Sequence, residues 1–176
     1  MRYDRIVFVC EDNSCLSILA ENVFIGRYKG EPIYVASRGI VVLFEAPCNP
    51  RAEEILRRNG IEPVRTTTME IGKRDITDST LVITMKESDR QRFHKRFPYA
   101  DAITLGTLSG EQCDVTDPYG KGREAYEECF EDIVRMMNKA MPQIYGLLNA
   151  NDEFDSNLLF EKEIMEEDTK DDSFRM

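Results

Sequence analysis

The chain has 176 residues, of which 41% are hydrophobic and 32% charged, enough for one domain with a buried core and too few for two. No run approaches the length of a membrane span, and Met1-Arg2-Tyr3-Asp4-Arg5 does not resemble a signal peptide, so the reading is cytoplasmic with no membrane partner. The net charge of −10 argues against nucleic acid, and it is unevenly spread: from Asn151 to Met176 ten acids face three bases, so −7 lies there and only −3 on residues 1–150.

Arg5 to Val9 is a continuous apolar strand of the kind buried on both faces of a parallel sheet. Leu16 to Tyr28 reads as a helix, with Leu16, Leu19, Ala20, Val23, Phe24 and Tyr28 on one side and Gly30 as its stop. Pro32 to Ala36 is a short second strand, and Pro50 opens a helix that Asn59-Gly60 closes. A strand from Thr80 to Met85, a basic helix from Glu87 to Phe97 and a strand from Asp101 to Leu105 follow. After the turn-rich stretch from Ser109 to Gly122, an amphipathic helix runs from Arg123 to Leu148, and Pro142 is expected to kink it or end its first half. Strands alternating with helices imply an α/β fold: a doubly wound, four-stranded parallel sheet with helices on both faces and ligands at the carboxyl ends of the strands. The domain covers residues 1–149, and residues 150–176 form an acidic C-terminal extension. In it Leu158, Leu159, Phe160, Ile164 and Met165 suit either one short helix capped by Ser156 or a solvated tail.

Cys10 ends the first strand and opens the loop Cys10-Glu11-Asp12-Asn13-Ser14-Cys15-Leu16-Ser17 before the first helix. A thiol there lies over a ring of backbone N–H groups and a helix N-terminus, a setting that binds phosphate-like anions and favours thiolate. The five cysteines, Cys10, Cys15, Cys48, Cys113 and Cys129, have no framework spacing and suit reduced thiols. A lone strand-end cysteine is more often filler than nucleophile. Cys48, Cys113 and Cys129 read that way, and Cys15 is equally explained as a small residue at a helix start.

The loop resembles that of the low-molecular-weight protein tyrosine phosphatases: cysteine, five residues, arginine, serine. Cys10 matches the nucleophile, Asn13 the loop asparagine, Cys15 the second cysteine and Ser17 the serine, while Leu16 stands where the arginine belongs. Ser37-Arg38-Gly39, Asn49-Pro50-Arg51-Ala52 and Asn59-Gly60-Ile61 resemble further family segments, and Asp117-Pro118-Tyr119 matches the turn that delivers the general acid. The resemblance covers roughly residues 3–148 and implies the phosphotyrosine protein phosphatase I-like fold, with no cofactor and no metal.

It also implies roles. Cys10 would attack phosphorus, its thiolate favoured by loop dipoles and the Ser17 hydroxyl. Asp117 would protonate the leaving oxygen and then activate water. Asn13 suits the left-handed backbone of such a loop, and Tyr119 would stack on an aromatic leaving group. Asn13, Ser14, Cys15, Leu16, Ser17 and Tyr119 are thus the expected substrate contacts, and Cys15 could also trap Cys10 as a reversible disulfide. The substrate would be a phosphorylated protein or a small aryl phosphate.

Leucine offers neither donor nor charge where an arginine would grip two phosphoryl oxygens, a loss of roughly 10³–10⁵ in rate. The expectation is therefore a weakened phosphatase; the alternative is an inactive pseudophosphatase kept for binding or regulation. Arsenate reductases also use the arginine, and phosphocarrier subunits of the sugar phosphotransferase type lack the Asp-Pro-Tyr acid, so both fit less well. Arg38, Lys121 and Arg123 are the candidate replacement cations. The cluster Lys86, Arg90, Arg92, His94, Lys95, Arg96 reads as a solvated helix face, with no metal spacing around His94.

Overall fold

The structure is a computed structural model, and it describes residues 2–149. Four parallel strands, β1 (Arg5–Cys10), β2 (Tyr34–Gly39), β3 (Thr80–Thr84) and β4 (Asp101–Thr104), form one sheet in the order β2-β1-β3-β4. Around it lie α1 (Leu16–Arg27), α2 (Pro50–Arg58), α3 (Glu87–Arg96), α4 (Leu105–Ser109) and α5 (Arg123–Asn149). The doubly wound architecture read from the alternation of elements is the one observed.

Period-two alternation along β1 divides the core. Ile6, Phe8 and Cys10 pack on one face against residues of α1 and α5, including Leu19, Val23, Phe24, Ile133 and Met137. Val7 and Val9 face the other way, into a smaller cluster with Ile71, Phe93 and Phe97 that α3 completes. Chain order runs outward from β1 to β2 on one side and from β3 to β4 on the other, so the topological switch lies between β1 and β3. The crevice beyond the carboxyl ends of those two strands is where such a fold binds its ligand.

Local chemistry sets the element ends. Asn49 caps α2 by accepting from the Arg51 N–H at 2.9 Å, Pro50 occupies the first turn, and Gly60 closes the helix at φ 73°. Other boundaries depart from expectation. α1 ends at Arg27, before Gly30, because Tyr28 turns into extended backbone (φ −69°, ψ 128°) with its ring stacked between Phe24 and Tyr145. The second strand begins at Tyr34, not Pro32, and continues through the polar Ser37-Arg38-Gly39, whose side chains find buried partners in Glu21 and Asp75. α4 forms where a turn-rich stretch begins, capped by the Thr104 hydroxyl, which accepts from the Thr107 N–H at 3.0 Å.

α5 runs unbroken through Pro142. That residue is exposed, while Met141, Ile144, Leu147 and Leu148 on either side are buried, so packing holds the helix together across the missing N–H. The short helix considered for the extension lies outside the described residues.

Candidate active site

Three loops meet at the β1/β3 crevice. The first is the cysteine loop. Its Asn13 has φ 59°, a left-handed conformation that asparagine tolerates, and the fully buried side chain accepts from the Met69 N–H at 2.9 Å. Asn13 Nδ2 donates to Ser17 Oγ at 2.8 Å, and Ser17 Oγ lies 3.0 Å from Cys10 Sγ. Because the serine oxygen already accepts from the amide, its own proton is free to point at sulfur, the arrangement a thiolate needs. Gly39 at the end of β2 lets the loop pack tightly: a Cβ there would stand 2.8 Å from the Asp12 carbonyl carbon and 3.0 Å from Asn13 N. The Ile40 N–H donates to the Cys10 carbonyl and the Val41 N–H to that of Glu11, fastening the next segment to the same loop.

The second loop carries Asp117. The Val115 N–H donates to the Met85 carbonyl at 3.0 Å, and the Asp114 carboxylate accepts from the Glu87 N–H at 2.8 Å, capping α3 from a distant segment. Asp117 is thereby held beside the end of β3. One of its oxygens accepts from the Tyr119 N–H at 3.0 Å and the other from Lys86 Nζ at 3.1 Å. Tyr119 stands at the rim, 79% exposed. The third segment is the start of α2, where the Asn49 N–H donates to the Ser14 carbonyl and Asn49 Nδ2 to the Tyr126 hydroxyl.

Together these segments enclose a cleft of about 230 Å³ lined by Cys10, Ser14, Cys15, Leu16, Asp117 and Tyr119, with Glu11, Asp12, Asn49, Lys86, Asp89 and Tyr126 completing the wall. All the expected site residues except Asn13 and Ser17 line it. Those two sit behind the loop as its brace. Cys15 is a buried free thiol at the start of α1, making no capping bond, and burial pushes its pKa well up.

The electrostatics of the cleft differ from the expectation of a thiolate-favouring cradle. Burial pushes the Cys10 thiol up to about 11, against the opposing hydrogen bonds from Ser17 and the backbone, and the Asp12 carboxylate adds to the rise. Glu11 lines the mouth with its carboxylate paired to Arg92 at 2.8 Å, and Asp12 accepts from both the N–H and the hydroxyl of Ser14. Asp89 in α3 is buried, 2% exposed, and its Oδ2 has no hydrogen-bond partner. Burial pushes its pKa up to about 6, with Lys86 opposing and Glu11 adding to the rise.

None of the three replacement cations reaches the cleft wall. Arg38 is 5% exposed and committed to Asp75, the Ser37 carbonyl and the Tyr34 hydroxyl. Arg123 pairs with Glu54 and Glu127, and Lys121 gives its carbonyl to Arg51. Lys86, placed by sequence on a solvated helix face, instead lines the cleft. Outside the cysteine loop, the charged wall residues that were missed are thus Lys86 and Asp89. For Lys86 a signal was present, because it follows directly on a parallel strand and such ends supply site residues. For Asp89 there was none, since an acid in the first turn of a helix is ordinary.

A buried strand-end cysteine braced by serine and asparagine thus shares one cleft with an aspartate from a distant turn. The chain belongs to the low molecular weight phosphotyrosine protein phosphatase family, whose model matches residues 5–151. It is 28% identical over 138 residues to the low molecular weight protein-tyrosine-phosphatase PtpB of Staphylococcus haemolyticus, covering 77% of this chain and 96% of that protein. To the protein-arginine-phosphatase of Geobacillus stearothermophilus it is 27% identical over 139 residues, covering 77% and 92%. The crystal structure of the low molecular weight protein tyrosine phosphatase from T. tengcongensis superimposes with a TM-score of 0.73 at 28% identity, covering 79% of this chain and 98% of that one.

Proposed function

We propose that this chain hydrolyses phosphate monoesters on protein side chains, slowly, through a phosphocysteine at Cys10. In the first step Sγ attacks phosphorus, the P–O bond to the leaving group breaks, and Asp117 donates its proton to the departing oxygen. In the second, Asp117 takes a proton from water, the water oxygen bonds to phosphorus, and the P–S bond breaks to release inorganic phosphate and the Cys10 thiolate that made the attack. The observation that carries this reading is the convergence of Cys10 and Asp117 on one cleft, with the Asn13–Ser17 brace aimed at sulfur.

Slowness follows from two features. Leu16 supplies no charge to the phosphoryl oxygens, and a thiol pushed up to about 11 is overwhelmingly protonated at neutral pH. A protein substrate is supported by the segment after β2, tied to the cysteine loop through Val41 and bearing the exposed side chains Leu43 and Phe44. The catalytic unit in this proposal is residues 1–149, acting in the cytoplasm, where its thiols stay reduced, with no part for nucleic acid or membrane.

The test is turnover of a phosphotyrosine peptide and a phosphoserine peptide by the full chain. Slow hydrolysis of at least one should vanish in Cys10→Ser and fall in Asp117→Asn, and acid quench should leave phosphate bound to Cys10 in the wild type. Turnover that survives Cys10→Ser would overturn the proposal, as would a folded wild type that neither turns over nor becomes phosphorylated at Cys10.

A further inference from the structure

We infer that Lys86 is the phosphate-binding cation of this site, taking the place of the charge that Leu16 cannot supply. This rests on the reading of the Cys10 cleft as a phosphoryl site. It adds a residue from a different strand end.

Position comes first. Lys86 stands two residues beyond β3, and the Met85 N–H donates to the Val9 carbonyl at 3.0 Å, so its backbone leaves the sheet alongside Cys10 at the switch crevice. Its side chain is 24% exposed, enclosed by the cleft wall. Charge comes second. Among the described residues lining the cleft, Glu11, Asp12, Asp89 and Asp117 are acidic and Lys86 is the one cation. A doubly charged phosphoryl group entering such a wall has one favourable electrostatic partner in it besides the backbone amides.

Availability comes third. Although burial pulls the Lys86 pKa down, the Asp117 hydrogen bond and the charges of Asp117, Asp89 and Glu11 more than offset it, so the ammonium stays protonated. Its hydrogen bond to Asp117 uses one of three N–H donors, leaving two for phosphoryl oxygens. The arginine of a forked grip clamps two oxygens in a plane, whereas an ammonium offers a point charge with freely turning donors. The same side chain thus lines the Cys10 cleft and hydrogen-bonds Asp117.

Calorimetric titration with inorganic phosphate, on folded full-length variants, tests this directly. Lys86→Met should weaken phosphate at least about tenfold, the scale of one charge-assisted hydrogen bond, while Lys86→Arg should stay within about threefold of wild type. Leu16→Arg placed on Lys86→Met should recover the binding. Asp117→Asn separates a phosphate ligand from a mere anchor for the acid: it frees the ammonium and removes a like charge, so phosphate should bind as tightly or more tightly.

Unchanged binding in Lys86→Met overturns the inference alone, because the phosphatase proposal is judged by Cys10→Ser turnover. Equal losses in Asp117→Asn and Lys86→Met would also overturn it, by showing that Lys86 acts only through the loop it holds. Absence of phosphate binding by the wild type overturns it too, and the reading beneath it still stands or falls on Cys10→Ser turnover.

Discussion

Leu16→Arg is the most informative single change to this protein. Leu16 begins α1 with its side chain in the cleft wall, 3% exposed, so a guanidinium built from the same Cα enters the phosphoryl position. A phosphoryl-transfer arginine is worth roughly 10³–10⁵ in rate, or about 4–7 kcal/mol. Part of that is diverted here, because Asp12, Asp89 and Asp117 line the same cleft and compete for the new fork. A gain in kcat/KM of at least about a hundredfold is what remains.

The new charge should leave a second mark. A cation beside Cys10 lowers its pKa by about 1–3 units, so a thiol now at about 11 would become ten- to a thousandfold more ionised at neutral pH. The assay is kcat/KM for p-nitrophenyl phosphate from pH 5 to 10. In the wild type the rate should climb toward the alkaline end as thiolate forms, and in the variant that limb should move to lower pH. A variant of unchanged melting temperature showing neither a gain above about threefold nor a moved limb would refute the reasoning.

Two further substitutions test the supporting structure. Asp89 has a folded pKa of about 6 against an ordinary 3.8, so its stabilising effect is complete below the unfolded value and is lost as pH rises through about 6. Above that the buried carboxylate costs the fold about 1–3 kcal/mol, so Asp89→Asn should raise the melting temperature at pH 8 and give little benefit at pH 4; equal effects at both would show that the buried charge is not the cause. Gly39→Ala sets a methyl 2.7 Å from Val42 Cγ2 and 2.8 Å from the Asp12 backbone, which must displace the cysteine loop. It should cost about 1–3 kcal/mol of stability and most of the turnover, measured by thermal denaturation and by the peptide assay.

The sequence by itself determined the sheet, the cysteine loop and the Asp-Pro-Tyr turn, because each is written in local chemistry. An apolar run marks a buried strand, Asn49-Pro50 and Asn59-Gly60 bracket a helix, and Cys10, Asn13, Ser17 and Asp117 carry a spacing and a resemblance that survive without coordinates. Tertiary structure decided what depends on a partner from elsewhere in the chain. Ser37 and Arg38 lie past the strand expected to end at Ala36, and Glu21 and Asp75 satisfy them inside β2. Pro142 sits within a helix because packing on both sides of it outweighs one lost hydrogen bond.

The balance of charge around Cys10 belongs to the second kind. Which cations face an anion is a question of direction in space, and the sequence could only name the basic residues. The fold buries Arg38, ties Arg123 to its own carboxylates and turns Lys86 into the cleft beside Asp117. It does so because β1 and β3 are neighbours whose carboxyl ends must open on the same crevice.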